Sequence, residues 1–299
     1  MLGGSGSVVV VVDPPDGPPI DPMGVADLPA VVMSVGGPGE PPAWADVVVP
    51  PEDAAALLET IRRAPIAATS LALLLRAQPA RTAAEGLVAE SAAYSLLQAG
   101  PEFAAWRAGR PVVERLATGP AVRTERQDAR LVVTIARPEV HNAFSAAVRD
   151  ELLAALAIAR FDPSVTAVEL RGDGPSFCSG GDLDEFGSLP DPATAHLIRL
   201  TRSAGRAIDQ LADRTTAHVH GATMGSGIEL AAFAHRVVAH PDTRIALPEL
   251  GLGLVPGAGG TVSVTRRIGR HRTMQLALSP EPIDVTTALA WGLVDEISS

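Results

Sequence analysis

The sequence predicts an α/β protein with a parallel sheet, preceded by a region that is mainly helical. From Leu131 onwards, short β-branched runs alternate with helical segments, an order typical of parallel α/β folds. Between residues 51 and 110, apolar residues instead recur at helical spacing. A charged stretch with Gly and Pro, Arg110 to Arg126, separates the two regions and is the best candidate for a domain boundary. We therefore expect two structural regions within one chain.

The predicted domain limits follow from these changes in composition. Residues 1–50 form a Pro/Gly-rich segment with short strands, residues 51–120 a helical domain, and residues 121–299 the α/β core. In the first segment, valine-rich runs bounded by turns predict strands. These runs are Val8–Val12, Ala30–Val35 and Ala45–Val49.

Proline, acidic residues and apolar spacing define the helices of the second region. Pro51 opens the first helix, and Glu52 and Asp53 in its first turn suit the helix dipole. Further helices are predicted at about 65–77, 81–98 and 101–108.

The core is predicted to alternate between strands and helices. Ser145 is placed to cap a helix of about 145–160. The predicted strands are Leu131–Ala136, Thr166–Leu170, Thr216–His220 and Arg236–Ala239, and the further helices cover about 192–212 and 226–235. Two glycine-rich loops follow strands, so we expect them to lie side by side at the carboxyl ends of the sheet.

Composition excludes several functional classes. At 299 residues with 46% hydrophobic residues, the chain has the make-up of a globular protein. Its net charge is −10, and all 24 basic residues are arginine, which argues against nucleic acid or an anionic membrane as a partner. The single cysteine, Cys178, excludes an intramolecular disulfide and a Cys-based zinc site. No signal peptide or membrane span is predicted, so we expect a cytoplasmic protein.

The stretch from His218 to Gly260 carries the strongest chemical signal. Glu229 lies in the first helical turn after a Met-Gly-Ser-Gly turn, and Glu249 lies beside a second glycine-rich segment. A helix N-terminus at an open turn presents unpaired backbone N–H groups, which suit an anion or a developing oxyanion. Two carboxylates beside such a site indicate acid–base chemistry on a carbonyl compound. The alternative is a pair of ordinary surface or helix-terminal carboxylates.

Five ordered motifs resemble those of the crotonase (enoyl-CoA hydratase/isomerase) superfamily. They are RPEVHNAFS, RGDGPSFCSGGDL, HGATMGSGIELAAFAHRVVA, LPELGLGLVPGAGGT and ALAWGLVDEI, and together they extend from about Arg130 to Glu296. The resemblance implies a spiral of ββα units with two roughly perpendicular sheets. It also implies assembly as a homotrimer or as a hexamer made of two trimers.

The resemblance also implies a substrate and a set of site residues. Members bind acyl-CoA thioesters and hold the thioester oxygen between two backbone N–H groups, which correspond here to Gly181 and Ser226. The two hydratase glutamates correspond to Glu229 and Glu249. Having both favours a lyase, an enoyl-CoA hydratase that adds water reversibly and syn to a 2-enoyl-CoA through an enolate. The alternatives are an isomerase or other acyl-CoA lyase of the superfamily, and a catalytically silent CoA-binding or scaffold protein.

Four further residues are expected near the substrate: Gly180, Asp182, Gly257 and Cys178. By resemblance, the Gly257 backbone belongs to the turn beside the attacking water. From the residues alone, Asp182 is expected to cap the following helix, and Cys178 to be a small buried hydrophobe. No cofactor is expected, since coenzyme A is part of the substrate, and no metal site is expected.

Histidine and tyrosine offer weaker signals. His218 and His220 share one face of a strand and form a possible metal pair, but without a third ligand in view a structural role is favoured. The sole tyrosine, Tyr94, is expected in the core of the helical region, with lining of an acyl pocket as the alternative.

The chain departs from the family pattern in three places, one of which is Ser226, where the family usually has a glycine. The basic residue that often precedes the first oxyanion loop is missing, which leaves Arg171, Arg202 or an arginine of another subunit to meet the CoA phosphates. The helices that typical members carry after GLVDEI are not found there either. Residues 51–110 resemble those helices and end in a similar stretch, Trp106 to Arg110. We therefore expect a permuted or duplicated arrangement, with an unrelated helical domain as the alternative.

Overall fold

The computed structural model of the chain describes residues 8–12, 24, 28–36, 39–110, 119–187 and 191–298. Its strands are β1 (Val8–Val12), β2 (Val31–Val35), β3 (Val47–Val49), β4 (Val122–Gln127), β5 (Arg130–Ile135), β6 (Ala167–Gly172), β7 (Thr215–Val219), β8 (Ala222–Met224), β9 (Arg236–Ala239), β10 (Arg244–Ala246), β11 (Ile283–Asp284) and β12 (Glu296–Ile297). Its α-helices are α1 (Pro51–Arg63), α2 (Pro65–Ala77), α3 (Ala83–Gln98), α4 (Pro101–Ala108), α5 (Ala146–Phe161), α6 (Pro192–Thr201), α7 (Ala204–Asp209), α8 (Ser226–Ala231), α9 (Gly260–Leu278) and α10 (Val285–Trp291).

The central sheet has six strands in the order β12-β9-β7-β6-β5-β4. All neighbouring pairs are parallel except β4 and β5, which form an antiparallel pair. A second sheet has the order β11-β10-β8, with β8 and β10 parallel. The parallel α/β core predicted from the alternation of strands and helices is therefore confirmed. Because β6 and β7 are neighbouring parallel strands, the loops that follow them lie at one edge of the central sheet.

The N-terminal segment forms a third, fully parallel sheet in the order β1-β2-β3. The three valine-rich runs are thus strands, as their composition predicted. Most of β2 is buried, which is the behaviour of a parallel strand covered on both faces. Helices α1 and α2 pack against β2, and α9 packs against β3.

The helical region lies directly against the core. Leu71 and Leu75 of α2 belong to the same continuous hydrophobic cluster as Val262 and Val264 of α9. Helix α3 contacts both α6 and α9. Residues 51–110 therefore do not lie remote from the core. A remote position would have contradicted the permuted arrangement. The permuted or duplicated arrangement itself stays a prediction.

Two predicted helices are shorter than expected. The helix predicted at 192–212 is interrupted: α6 ends at Thr201, Arg202 leaves helical geometry (φ −125°, ψ 49°), and Ser203 caps α7 by accepting a hydrogen bond from the Arg206 N–H. A cap residue inside a run of helical spacing starts a new helix, because its side chain accepts a hydrogen bond from a free N–H group there. The helix predicted at 226–235 ends at Ala231.

The prediction that Arg110 to Arg126 form a connector is also partly wrong. Val122–Gln127 is strand β4, which pairs antiparallel with β5 across its whole length. Its side chains after Val122 are exposed, so it lacks the apolar alternation by which strands are predicted from sequence. Residues 111–118 of the connector lie outside the described residues.

A buried carboxylate joins the N-terminal sheet to the core. Asp46, just before β3, is 3% exposed and accepts two hydrogen bonds from Arg76 of α2, at 2.8 Å and 2.6 Å. It also accepts the Val32 N–H at 2.8 Å and lies 3.5 Å from the Arg270 guanidinium of α9. Two arginines thus contact the same buried carboxylate.

We expect Asp46→Asn to destabilise the fold strongly. The substitution removes the buried charge that pairs with Arg76 and Arg270, and breaking a buried ion pair typically costs roughly 3–5 kcal/mol. Urea unfolding of the variant should therefore show a much lower midpoint. The matched control is Glu59→Gln, which removes the exposed ion pair with Arg63 and should cost less than about 1 kcal/mol. Equal losses in the two variants would contradict a special role for Asp46.

Candidate active site

The two glycine-rich loops lie side by side, as the sequence predicted. Cys178 in the loop after β6 forms an isolated parallel bridge to Thr223 of β8. The Met224 N–H donates to the Cys178 carbonyl at 3.0 Å, and the Cys178 N–H donates to the Ala222 carbonyl at 3.2 Å. This pairing fixes the position of Gly181 relative to the start of α8.

The backbone N–H groups of Gly181 and Ser226 lie at the junction of these loops. No hydrogen bond from either N–H group to another residue is found within the described part of the chain. The Ser226 Oγ lies 3.8 Å from the point where a Cβ on Gly181 would stand, so the two residues are close neighbours. Both N–H groups are therefore available to an incoming oxygen.

Serine is compatible with its position because the unusual backbone conformation falls on the residue before it. Gly225 has φ 46° and ψ −120°, whereas Ser226 has no positive φ and begins α8. A side chain on Gly225 would also collide with the Glu249 carboxylate. Glycine is thus required at 225, and the replacement of the family's usual glycine by Ser226 costs no backbone strain.

Glu229 is buried and held by the start of α9. Its Oε2 accepts the backbone N–H groups of Ala258 at 2.7 Å and Gly260 at 2.8 Å. These donors belong to the 256–261 turn, which runs from Pro256 to Thr261 into α9. Burial raises the pKa of Glu229 to about 7, while the backbone hydrogen bonds oppose this rise. The side chain is therefore poised to exchange a proton near neutral pH.

Glu249 lies in a short 3₁₀ segment (Pro248–Leu252), and its carboxylate is next to Gly225. It is buried, and its Oε2 has no hydrogen-bond partner among the described residues. Burial, followed by the charge of Glu229, raises the pKa of Glu249 well above its usual range. A buried carboxyl oxygen without a partner is costly, so a substrate or water at this point would gain a strong hydrogen bond.

The structure adds a third carboxylate, Glu90 of α3, which the sequence analysis missed. Glu90 is buried and accepts the Gly259 N–H at 2.7 Å, the Thr261 N–H at 2.9 Å and the Thr261 hydroxyl at 2.7 Å. Burial and then the charge of Glu229 raise its pKa to about 8, against the opposing effect of these hydrogen bonds. The sequence does contain a signal for this position: helical spacing places Glu90 on the same face of α3 as Tyr94 and Leu97, and that face is buried.

Tyr94 also brings the helical region to the site. Its ring lies against Gly257, where a Cβ would come within 2.5 Å of the ring carbons. The Arg199 guanidinium stacks over the ring at 4.5 Å from its centroid. Gly257 is therefore needed for close packing of α3 on the 256–261 turn. Tyr94 is part of the core, as expected, and it also lies next to the predicted site.

The expectation that Asp182 caps a helix is wrong. Residues 183–187 form turns, and the next helix, α6, is capped by Asp191. Asp182 instead forms a mostly buried ion pair with Arg137 at 3.1 Å and accepts the Asp184 N–H at 3.3 Å. The Asp182–Arg137 pair stabilises the loop that presents Gly181.

Cys178 is buried, as expected, and burial raises the pKa of its thiol to about 12. Its thiol lies 3.7 Å from the Gly180 carbonyl. Any contact of Cys178 or Gly180 with a substrate remains a prediction.

The Phe186 ring packs over Gly181 and continues into an aromatic contact with Trp106 of α4, at 6.2 Å between ring centroids.

The remaining candidates make local contacts. Arg171 pairs with Glu169 at 2.6 Å, and Arg202 pairs with Asp150 at 2.7 Å; both arginines are about half exposed. His218 lies 3.8 Å from Glu169, and the His220 Nε2 lies 2.9 Å from the Gly174 carbonyl oxygen. Within the described ranges, no helix is long and apolar enough to cross a bilayer.

Known proteins resemble the second half of the chain. The profile of the family described as enoyl-CoA hydratase/isomerase matches residues 125–299, more than half of the chain. A protein of Bacillus subtilis named "Probable enoyl-CoA hydratase" is 35% identical over 164 residues, 54% of this chain and 63% of the relative. The "Trans-2-decenoyl-[acyl-carrier-protein] isomerase" of Streptococcus mutans is 31% identical over 169 residues, 55% of this chain and 64% of the relative. The chain thus spans somewhat less than two thirds of these relatives.

Solved structures agree with this match. The crystal structure of an enoyl-CoA hydratase from Thermoplasma volcanium has a TM-score of 0.56 and 30% identity, covering 60% of this chain and 72% of the other. The crotonase fold predicted from the motifs is therefore confirmed. On its fold and on the family profile, the chain belongs to the enoyl-CoA hydratase/isomerase family.

Proposed function

We propose that this protein is an enoyl-CoA hydratase, a lyase that adds water syn and reversibly to a 2-enoyl-CoA. The observation that carries the proposal is the presence of two buried carboxyl groups, Glu229 and Glu249, near the Gly181 and Ser226 N–H groups, which have no backbone partner among the described residues. Acid–base chemistry needs such carboxyl groups with pKa values near or above neutrality.

The N–H groups of Gly181 and Ser226 are proposed to hold the thioester oxygen. As water adds to the β-carbon, negative charge moves onto this oxygen and gives an enolate. Donors already fixed by the backbone stabilise that charge without reorganisation, and losing one such donor typically raises the barrier by roughly 3–4 kcal/mol.

The two glutamates receive different roles because their hydrogen bonds differ. Two backbone N–H donors stabilise the ionised form of Glu229, whose pKa is about 7, so it accepts the proton of the attacking water. Glu249 has no partner for its Oε2 among the described residues, and burial raises its pKa well above the usual range, so it keeps its proton and delivers it to the α-carbon of the enolate. The hydroxyl of water thus reaches the β-carbon and a proton the α-carbon, giving a 3-hydroxyacyl-CoA. Exchange of one proton between the glutamates and solvent then restores the starting state.

Isomerisation is the second candidate, supported by the printed name of the Streptococcus mutans relative. The same enolate site moves a double bond if one glutamate removes an α-proton and a proton returns at the γ-carbon. A 3-enoyl-CoA substrate separates the two reactions, since only isomerisation yields the 2-enoyl-CoA without added water. A silent CoA-binding protein would catalyse neither reaction.

Crotonyl-CoA tests hydration directly. We expect the wild-type protein to remove the enoyl absorbance, and Glu229→Gln or Glu249→Gln to lower kcat by about 10²–10⁴-fold through loss of general acid–base catalysis. Glu281→Gln, at an exposed position outside the site, is the control and should retain full activity. Equal inactivity of the wild type and both variants across acyl chain lengths would end the hydratase proposal.

The pH dependence of kcat/KM tests the assigned proton states. Activity in the hydration direction should rise as Glu229 ionises with its pKa of about 7, and fall at higher pH when Glu249 loses its proton. Initial rates over a range from about pH 5 to about pH 10 would report both limbs. An acid limb with its midpoint near the ordinary glutamate value of 4.5 would show that Glu229 is not the base.

Stability should also depend on pH through Glu90. Its folded-state pKa of about 8 lies above the ordinary 4.5, so the folded protein binds its proton more tightly than the unfolded chain. The contribution of Glu90 to the free energy of unfolding is therefore greatest below pH 4.5 and is lost as pH rises through about 8. The charged or titratable groups around Glu90 are Glu229, Glu249, Tyr94 and Arg199.

Glu90→Gln removes this titration. Urea unfolding of the variant at several pH values should show a smaller fall in stability between pH 4.5 and 8 than the wild type shows. The Glu281→Gln control should keep the wild-type slope. An unchanged slope in Glu90→Gln would mean that Glu90 is already ionised in the folded protein at low pH.

A further inference from the structure

Three arginines from neighbouring segments line one cavity beside the proposed site. The cavity has a volume of about 60 Å³. Arg149 of α5, Arg199 of α6 and Arg202 just after α6 line it, together with Glu90 and the Gly257 and Ala258 backbone. The chain as a whole has a net charge of −10, so this cluster of positive charge contrasts with the charge of the whole chain.

The acids around this cavity do not balance its charge. Asp150 bridges Arg149 and Arg202, at 2.8 Å and 2.7 Å. Glu90 has a pKa of about 8 and therefore mostly keeps its proton at neutral pH. The three guanidinium groups thus have Asp150 and, near Arg149, Glu185 as further acidic neighbours, and neither of these acids pairs with Arg199.

Arg199 has only neutral partners at close range. Its Nε donates to the Ser91 hydroxyl at 3.1 Å, its Nη2 donates to the Ser95 hydroxyl, and its guanidinium stacks on Tyr94. Within the described residues, no carboxylate lies in ion-pair distance of Arg199. A partly buried arginine normally acquires an acidic partner, because removing its charge from water is costly. Here a bound anion would supply that partner.

The position of the cavity identifies which part of a substrate reaches it. Ala258 lines the cavity and donates to Glu229, so the cavity adjoins the turn that holds the carboxyl group proposed to act on the β-carbon. Phe144 also lines the cavity, and its backbone bonds the loop that presents Gly181. Because Glu229 is proposed to act on the β-carbon, the part of a bound thioester nearest this cavity would be its acyl chain.

We propose that this cavity binds a terminal carboxylate, so that the preferred substrates are acyl-CoA thioesters of dicarboxylic acids. This inference rests on the proposed function in so far as the substrate is an acyl-CoA. The planar guanidinium of Arg199 matches a carboxylate in a bidentate pair, and Arg202 adds a second positive charge at the cavity. The competing explanation is structural: Arg199 ties α6 to α3 through its serine partners.

Binding of saturated acyl-CoA thioesters tests the inference without requiring turnover. Adipyl-CoA and hexanoyl-CoA have acyl chains of equal length and differ in the terminal carboxylate. By calorimetry, the wild type should bind adipyl-CoA at least about tenfold more tightly. Arg199→Met should lose about tenfold in affinity for adipyl-CoA and less than about threefold for hexanoyl-CoA.

Two further variants complete the experiment. Arg202→Met, at an exposed position, should reduce the same preference and gives a second measurement if Arg199→Met does not fold. Arg206→Met, on the exposed side of α7 and outside the cavity, is the matched control and should keep the wild-type ratio.

The other outcomes overturn the inference in distinguishable ways. Equal affinity of the wild type for the two thioesters would leave the acyl-CoA function standing and remove the carboxylate site. Equal weakening of both thioesters and of free coenzyme A in Arg199→Met would assign the arginine to the CoA phosphates. Equal weakening of both thioesters without an effect on free coenzyme A would assign it a structural role. Failure of any acyl-CoA to bind would refute the proposed function, and the inference with it.

Discussion

The structure around the proposed site depends on how the N–H groups of the 256–261 turn, which leads into α9, are satisfied. A helix begins with backbone N–H groups that have no partner within the helix, and a buried helix start must find acceptors for them. Here two carboxyl groups share the task in alternation. Glu229 accepts from Ala258 and Gly260, and Glu90 accepts from Gly259 and Thr261. The turn, α3 and α8 are thus held together by one set of hydrogen bonds.

This arrangement explains why several acids are buried together. The positive end of the α9 dipole favours negative charge at its N-terminus, and four N–H donors stabilise the ionised forms of Glu229 and Glu90. Burial and mutual repulsion act in the opposite direction. Because repulsion makes it costly to ionise all three carboxyl groups at once, the cluster holds protons near neutral pH. Such a site is able both to accept and to deliver a proton.

The sequence predicted the local parts of this arrangement well. Strand and helix patterns placed β5, β6, β7, β9 and α5 within a few residues but did not predict α9, α10, β8, β10, β11 or β12. The glycine-rich loops after two strands were correctly predicted to lie side by side. These features depend on periodicity and turn chemistry, which are local properties of the chain. The roles assigned to the site residues stay predictions.

The features that were missed depend on distant contacts. Glu90 meets Gly259 across 169 residues, and nothing in the composition of α3 distinguishes a carboxyl group that reaches another helix from one that faces water. The exposed strand β4 lacks an apolar alternation and forms by pairing with β5. The break after α6 depends on a single cap at Ser203. Asp182 was misassigned because acids suit both helix caps and ion pairs, and only the fold brings Arg137 to it.

The N-terminal region is therefore part of the proposed site as well as of the fold. Glu90 and Tyr94 of α3 both contact the 256–261 turn, while Ser91 and Ser95 of the same helix hold Arg199. One helix thus sets the position of the turn that orients Glu229 and the direction of the guanidinium that lines the cavity behind it. Since both depend on the docking of α3, a change in how this helix packs would alter the proton chemistry and the acyl cavity together. Residues 51–110 consequently contribute to substrate selection in this proposal, wherever the corresponding helices of related proteins lie in their chains.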